Sequence, residues 1–220
     1  MVKLTPEPQV PGGLFADFSA AVAEHQPELA VTTWKDCVVL AGNLVVSGPD
    51  GPFDAYQIQV AIPPGFPWQE PVVFETAGRI PKIADRHVFE DNENCCLGVW
   101  EEWLFKSPDQ SASSFLTGPL HDYFLSQCWY EATSEWPFGD RSHGSLGVLE
   151  GFCELLGIAV DRQQAVSHLK LLARENIKGH VACPCRSGKR LRNCHIAKFT
   201  ELREWMLPFM AKRMLDRIQE

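Results

Sequence analysis

The spacing of apolar positions changes several times along the chain, and each change marks an element. Over residues 13–29, Leu14, Phe18, Ala21 and Val22 share one face at helical spacing, which predicts a helix that ends by Pro27. From 31 to 47 the pattern turns to β-formers (Val38, Val39, Leu40, Leu44, Val45, Val46), with Gly42-Asn43 reading as a turn. The Gly48-Pro49-Asp50-Gly51-Pro52 cluster is a second turn signal. Tyr56, Ile58, Val60 and Ile62 then alternate with Gln57 and Gln59, as in a half-buried antiparallel strand. A fourth strand, Val72–Thr76, follows a proline-rich turn.

Periodicity then lapses from Ala77 to Ser114, and ordered stretches of that length usually carry function. Helical spacing returns over 115–130, 145–157 and 161–176, the last through Val166, Leu169, Leu171 and Leu172. A final helix is predicted over 197–219, and Pro208 must kink it or divide it. A helix, four hairpin-linked strands, a long loop and then helices make an α+β fold on an antiparallel meander. A main domain is expected over 1–160 and a helical tail over 161–220.

Charge sharpens that division. Residues 1–160 hold 7 Lys+Arg against 22 Asp+Glu, and residues 161–220 hold 13 against 6. The acidic body argues against nucleic acid as the principal substrate. The basic tail either suits an acidic partner surface or is a solvated face of opposite sign. No apolar run nears the roughly 20 residues that span a bilayer, so no membrane partner is expected. The first residues, MVKLTPEPQVPGG, are too polar and proline-rich for a signal peptide. Eight cysteines at irregular spacing read as reduced thiols and metal ligands in a cytoplasmic protein.

One thiol stands apart. Cys96 follows the polar run Glu90-Asp91-Asn92-Glu93-Asn94, which keeps a sulfur near solvent. Cys37, Cys128 and Cys153 lie in apolar segments and read as core residues. In an extended segment Cys95 points away from Cys96. Pro63, Phe66, Pro67, Pro71, His87, Cys96 and Leu97, in that order, resemble the core of the ubiquitin-conjugating enzymes.

The resemblance implies that family's UBC-like fold: an N-terminal helix, a four-stranded meander, an active-site loop and C-terminal helices. It also implies an acyl (thioester) transferase in which Cys96 carries a partner's C-terminus, with His87 in the catalytic loop. Stand-alone bacterial members of this group sit in anti-phage (CBASS) operons. By that likeness the partner has a C-terminal glycine-type tail and is a cyclic-oligonucleotide synthase (a nucleotidyltransferase) or a ubiquitin-like protein. The chain has no Gly-rich nucleotide loop, so activation is expected from another protein.

The chain departs from the family at one point. Members that ligate lysines follow the histidine with Pro-Asn, whereas here Val88-Phe89 follow His87. Asn92, Asn94 or a backbone N–H is left to serve as oxyanion donor, and thioester formation is the safer expectation. His143, in Arg-Ser-His-Gly, is an outside candidate.

Cys183-Pro184-Cys185, eight further residues and Cys194-His195 resemble the SEC-C motif, a short zinc-binding appendage. Three thiolates and an imidazole suit tetrahedral zinc, and Gly188 lets the chain reverse between the two ligand pairs. Arg186, Lys189, Arg190 and Arg192 offset the site's negative charge. Four protein ligands leave no open position, so a structural metal is expected. Two other readings compete: a non-catalytic partner-binding module of the same fold, and a zinc-dependent nucleic-acid binder. The second is weakened by the lack of aromatics across 183–195.

Overall fold

The first helix, α1, spans Gly12–His25 in the computed structural model, which describes residues 12–107, 109–137, 142 and 144–219. It buries Phe18, Ala21 and Val22. Gln26, just past its end and 5% exposed, bonds both the N–H and the C=O of Val45, at 2.8 and 3.0 Å. One amide side chain thus ties the helix to the sheet with no polar atom wasted.

The sheet is an antiparallel meander in the order β1-β2-β3-β4, built from Leu29–Trp34, Cys37–Gly48, Gly51–Ile62 and Val72–Glu75. Register pairs Val38 with Ile62, Leu40 with Val60 and Leu44 with Tyr56, all buried on one face, while Gln57 and Gln59 stay exposed on the other. Two turns differ in kind. Gly48 to Gly51 closes the β2–β3 hairpin as expected. Gly42-Asn43 is not a turn, because β2 runs straight through it. Gly42 has φ 138° and pairs with Leu29, and a Cβ there would collide with the Glu28 carbonyl oxygen. Glycine is needed at that position for close approach. The β1–β2 hairpin turns instead at Lys35-Asp36, with Lys35 at φ 54°.

The stretch expected to be a loop up to Ser114 contains a short helix, α2 (Trp100–Lys106). Trp100, 1% exposed, donates its indole N–H to the Pro67 carbonyl at 2.8 Å and lies 6.0 Å from the Phe115 ring. Phe66 packs edge-on to Phe18 at 5.2 Å and to Phe115 at 5.9 Å. The proline-rich turn is therefore pinned into an aromatic cluster, where each ring pair adds about 0.5–1.5 kcal/mol beyond its buried area. α3 (Ala112–Phe115) leads through a distorted junction into α4 (His121–Thr133). Gly118 leaves helical geometry there and Pro119 offers no N–H, so the single helix expected over 115–130 is interrupted.

The chain divides into two compact units. One holds the sheet with α1, α3 and α4. The other holds residues 101–106 with α5 (Gly144–Leu156), α6 (Arg162–Leu172), α7 (Ile196–Trp205) and α8 (Pro208–Arg217). α5 packs on α6, so it lies on the tail side of the boundary expected at 160/161. Phe152, Leu169, Leu172, Phe199, Leu202, Met210 and Met214 form that unit's core. Asp161 caps α6 by accepting the Gln164 N–H at 3.0 Å, and the Arg203 guanidinium bonds the Leu172 and Arg174 carbonyls at its far end. Pro208 splits the expected last helix in two and sits at the start of α8, where a missing N–H costs nothing. No helix among the described residues is long and apolar enough to cross a membrane.

Candidate functional site

The loop after β4 is ordered by its own backbone. A single 3-10 turn, Ala84–Arg86, ends at His87, whose left-handed conformation (φ 50°, ψ 46°) turns the chain back. Val88 then pairs with Cys95, and the Phe89 N–H donates to the Asn94 carbonyl at 2.9 Å. Past this small hairpin two consecutive amides point to different partners. Cys95 N–H donates to Val73 in β4 at 2.7 Å, and Cys96 N–H donates to His87 at 2.8 Å. The two residues expected at the reactive centre, His87 and Cys96, are thus joined by one backbone hydrogen bond. His143 lies outside the described residues.

The neighbouring thiols have opposite environments. Cys95 is 4% exposed, and burial pushes its thiol up to about 11. Cys96 is half-buried. Of the other cysteines expected in the core, only Cys153 is buried. Cys37 stands at the start of β2 and is half-buried. Cys128 is half-buried because its thiol serves a polar network, contacting Asp54 at 3.4 Å and the Tyr56 hydroxyl at 3.5 Å. In the same network the Arg79 guanidinium grips both oxygens of Asp54, at 2.8 and 2.6 Å, and holds its carboxyl down at about 2.

α4 holds the His87 turn from behind. Tyr123 donates its hydroxyl to the His87 carbonyl at 3.2 Å. Gln127, fully buried, donates to the Arg86 carbonyl at 2.8 Å and accepts from the Arg86 guanidinium at 2.8 and 3.0 Å. Glu131 takes a further contact from Arg86 at 3.3 Å. Positions 123, 127 and 131 recur every four residues and share one helix face. None of these residues stands out in the sequence as a site residue; the one signal there is a polar Gln and a Tyr hydroxyl on an otherwise apolar helical stripe.

The loop's outer rim is acidic and apolar at once. Glu90 and Asp91 are exposed, Phe89 is 40% and Ile83 46% exposed, and Lys82 pairs with Glu93. The two candidate amides differ. Asn92 accepts the Asn94 N–H at 3.3 Å and so completes the turn. Asn94 Oδ1 is buried with no hydrogen-bond partner among the described residues.

The second candidate site is a cluster of four ligand-type side chains. Cys183 N–H donates to Lys189 at 2.9 Å and Ala182 pairs with Arg190, which forms a tight hairpin turned by Arg186 (φ 62°) and Gly188 (φ 75°). A 3-10 turn, Leu191–Asn193, anchored by the fully buried Leu191, brings Cys194 and His195 back against the first pair. His195 Nδ1 lies 3.2 Å from both the Cys183 and the Cys194 sulfur, and Cys185 lies 3.5 Å from Cys194.

All four ligand atoms fall within 4.8 Å of one another, so the cluster could hold a metal ion. Metal–ligand bonds of about 2.0–2.3 Å in a tetrahedron give edges of about 3.3–3.8 Å, close to the 3.2 and 3.5 Å separations within the cluster. The Ser187 hydroxyl, 3.2 Å from Cys185, holds that thiol below its ordinary range, while burial pushes Cys183 up. Comparison with protein families, with curated proteins and with solved structures finds no match to this chain.

Proposed function

We propose that the chain is a ubiquitin-conjugating-like protein in which Cys96 carries the C-terminus of a partner protein as a thioester. The observation that supports this most is the split between adjacent thiols: Cys95 is sequestered, and Cys96 leaves the same segment half-buried, tied to the His87 turn. The helix, the meander and the pinned Phe66-Pro67 turn are the parts that such a UBC-like fold requires.

The chemistry is a balanced exchange. The Cys96 sulfur attacks the partner's C-terminal carbonyl, already activated as a thioester on another protein. The new C–S bond forms as the old one breaks, and the proton from Cys96 ends on the departing sulfur. Such exchange is nearly isoenergetic, so the site must position the carbonyl and support its oxyanion. His87 contributes its carbonyl to fix the Cys96 backbone.

The partner is, on this reading, a cyclic-oligonucleotide synthase or ubiquitin-like protein with a C-terminal glycine-type tail, in bacterial anti-phage defence. The residue after His87 is Val88, buried and paired with Cys95, so no side-chain amide stands there. That favours a second role, in which Cys96 holds its partner and passes it on slowly or not at all.

In the tail, Cys183, Cys185, Cys194 and His195 would hold zinc. The ion would fasten two turns together and do no chemistry, since four protein ligands complete its shell. Co-expression with the activated partner tests the whole reading. Cys96→Ser should accumulate a more stable oxyester that thiol reductants leave intact, and Cys96→Ala should lose the adduct. An adduct that survives Cys96→Ala and disappears in Cys95→Ala would overturn it.

A further inference from the structure

His87 is held from two sides. Behind it stand Tyr123 and Gln127. In front lies Trp136, whose ring meets the His87 ring edge-on at 4.5 Å with an interplanar angle of 72°. Trp136 is itself stacked on Tyr130 at 4.5 Å and 27°, and the Arg86 guanidinium sits 4.9 Å from the Tyr130 ring centre. The four side chains form one continuous stack that begins and ends on neighbouring residues of the same turn.

Local sequence accounts for its assembly. α4 ends at Ser134, a left-handed residue (φ 59°) whose N–H donates to Tyr130 at 2.8 Å, and the Glu135 N–H is caught by the Thr133 hydroxyl at 3.2 Å. The chain therefore folds back over the last turn of α4 and lays Trp136 on Tyr130.

His87 is a non-glycine residue at positive φ, a strained conformation that persists only where its surroundings hold it. That conformation aims the carbonyl that receives the Cys96 N–H. We propose that Trp136 is a positioning residue for Cys96: by stacking on His87 it locks the left-handed turn and so fixes the amide, and with it the sulfur, two contacts away. The proposal rests on Cys96 being the acyl carrier only for its functional meaning, since the contact chain is testable without any acyl group.

Amide hydrogen exchange on the full chain tests it. Trp136→Ala should speed exchange at Cys96 by about tenfold or more while Val60, in the centre of the sheet, keeps its wild-type rate. Trp136→Phe, which keeps a ring against His87, should restore Cys96 to within about threefold of wild type. Trp136→Leu, which keeps bulk but loses the aromatic edge, carries the same expectation as Ala if the smaller residue does not fold. A wild-type exchange rate at Cys96 in Trp136→Ala or Trp136→Leu would overturn the proposal, as would a Phe variant no better than Leu. Absence of a thioester on the wild-type chain would count against the acyl-carrier reading alone.

Discussion

The carbonyl of His87 accepts the backbone N–H of Cys96 at 2.8 Å, one residue beyond the amide that ties Cys95 to β4. Consecutive amides with different partners set consecutive side chains in different surroundings. One thiol goes into the core against Tyr123 and the other to the half-buried surface.

Alkylation should therefore separate two adjacent cysteines. With its thiol pushed up to about 11 and only 4% exposed, Cys95 offers almost no thiolate near neutral pH. Iodoacetamide at about pH 8 should modify Cys96 at least about tenfold faster than Cys95, as read by peptide mass spectrometry. Equal rates would mean that the 88–95 hairpin opens freely.

The Asp54–Arg79 pair gives the sheet-bearing unit an acid-sensitive term. The folded state lowers the Asp54 carboxyl to about 2, below its ordinary 3.8. Stability from that pair is thus fully present above about pH 4 and is lost as pH falls toward about 2. Asp54→Asn should lower the melting temperature at neutral pH and flatten its fall over that acid window. An unchanged acid limb in the variant would remove the pair from the account.

Asn92 and Asn94 are the two amide side chains that precede Cys96 in its loop. Each carries an NH2 group able to donate to an oxyanion, and the turn engages Asn92 only through its carbonyl oxygen. If Asn94 supports the oxyanion when an amine attacks the thioester, Asn94→Ala should slow discharge by about a hundredfold and leave thioester formation nearly intact. If Asn92 is the donor instead, Asn92→Ala should show that effect. Equal discharge rates in wild type and both variants would exclude side-chain oxyanion support.

The tail should bind one metal ion and depend on it. Elemental analysis should return about one zinc per chain, and chelation should strip exchange protection from the Cys183 and Leu191 amides. A Cys183→Ser/Cys185→Ser double variant should lose the metal. Full occupancy in that variant would contradict the site.

Elements set by local pattern were legible in the sequence: α1, the alternating β3, the Gly48–Gly51 hairpin, the break at Pro208 and the four side chains that gather in the Cys183–His195 cluster. Gly42 misled because glycine serves tight turns and close approaches alike, and only the pairing with Leu29 separates the two. α2 was hidden in WEEWLFK, which is too short for its periodicity to show. The partial exposure of Cys96 was legible from its polar approach. Tyr123, Gln127 and Trp136 were not, because their partners in the His87 turn lie dozens of residues earlier and only the folded chain brings them together.

The central claim is that Cys96 carries an acyl group, and intact mass tests it most directly. The chain should be isolated from its native host under non-reducing conditions and weighed before and after hydroxylamine. The account predicts a covalent protein adduct that hydroxylamine releases and that is missing from the Cys96→Ala chain. A wild-type chain that carries no adduct when its partner and activating protein are present, or an adduct that persists in Cys96→Ala, would contradict it.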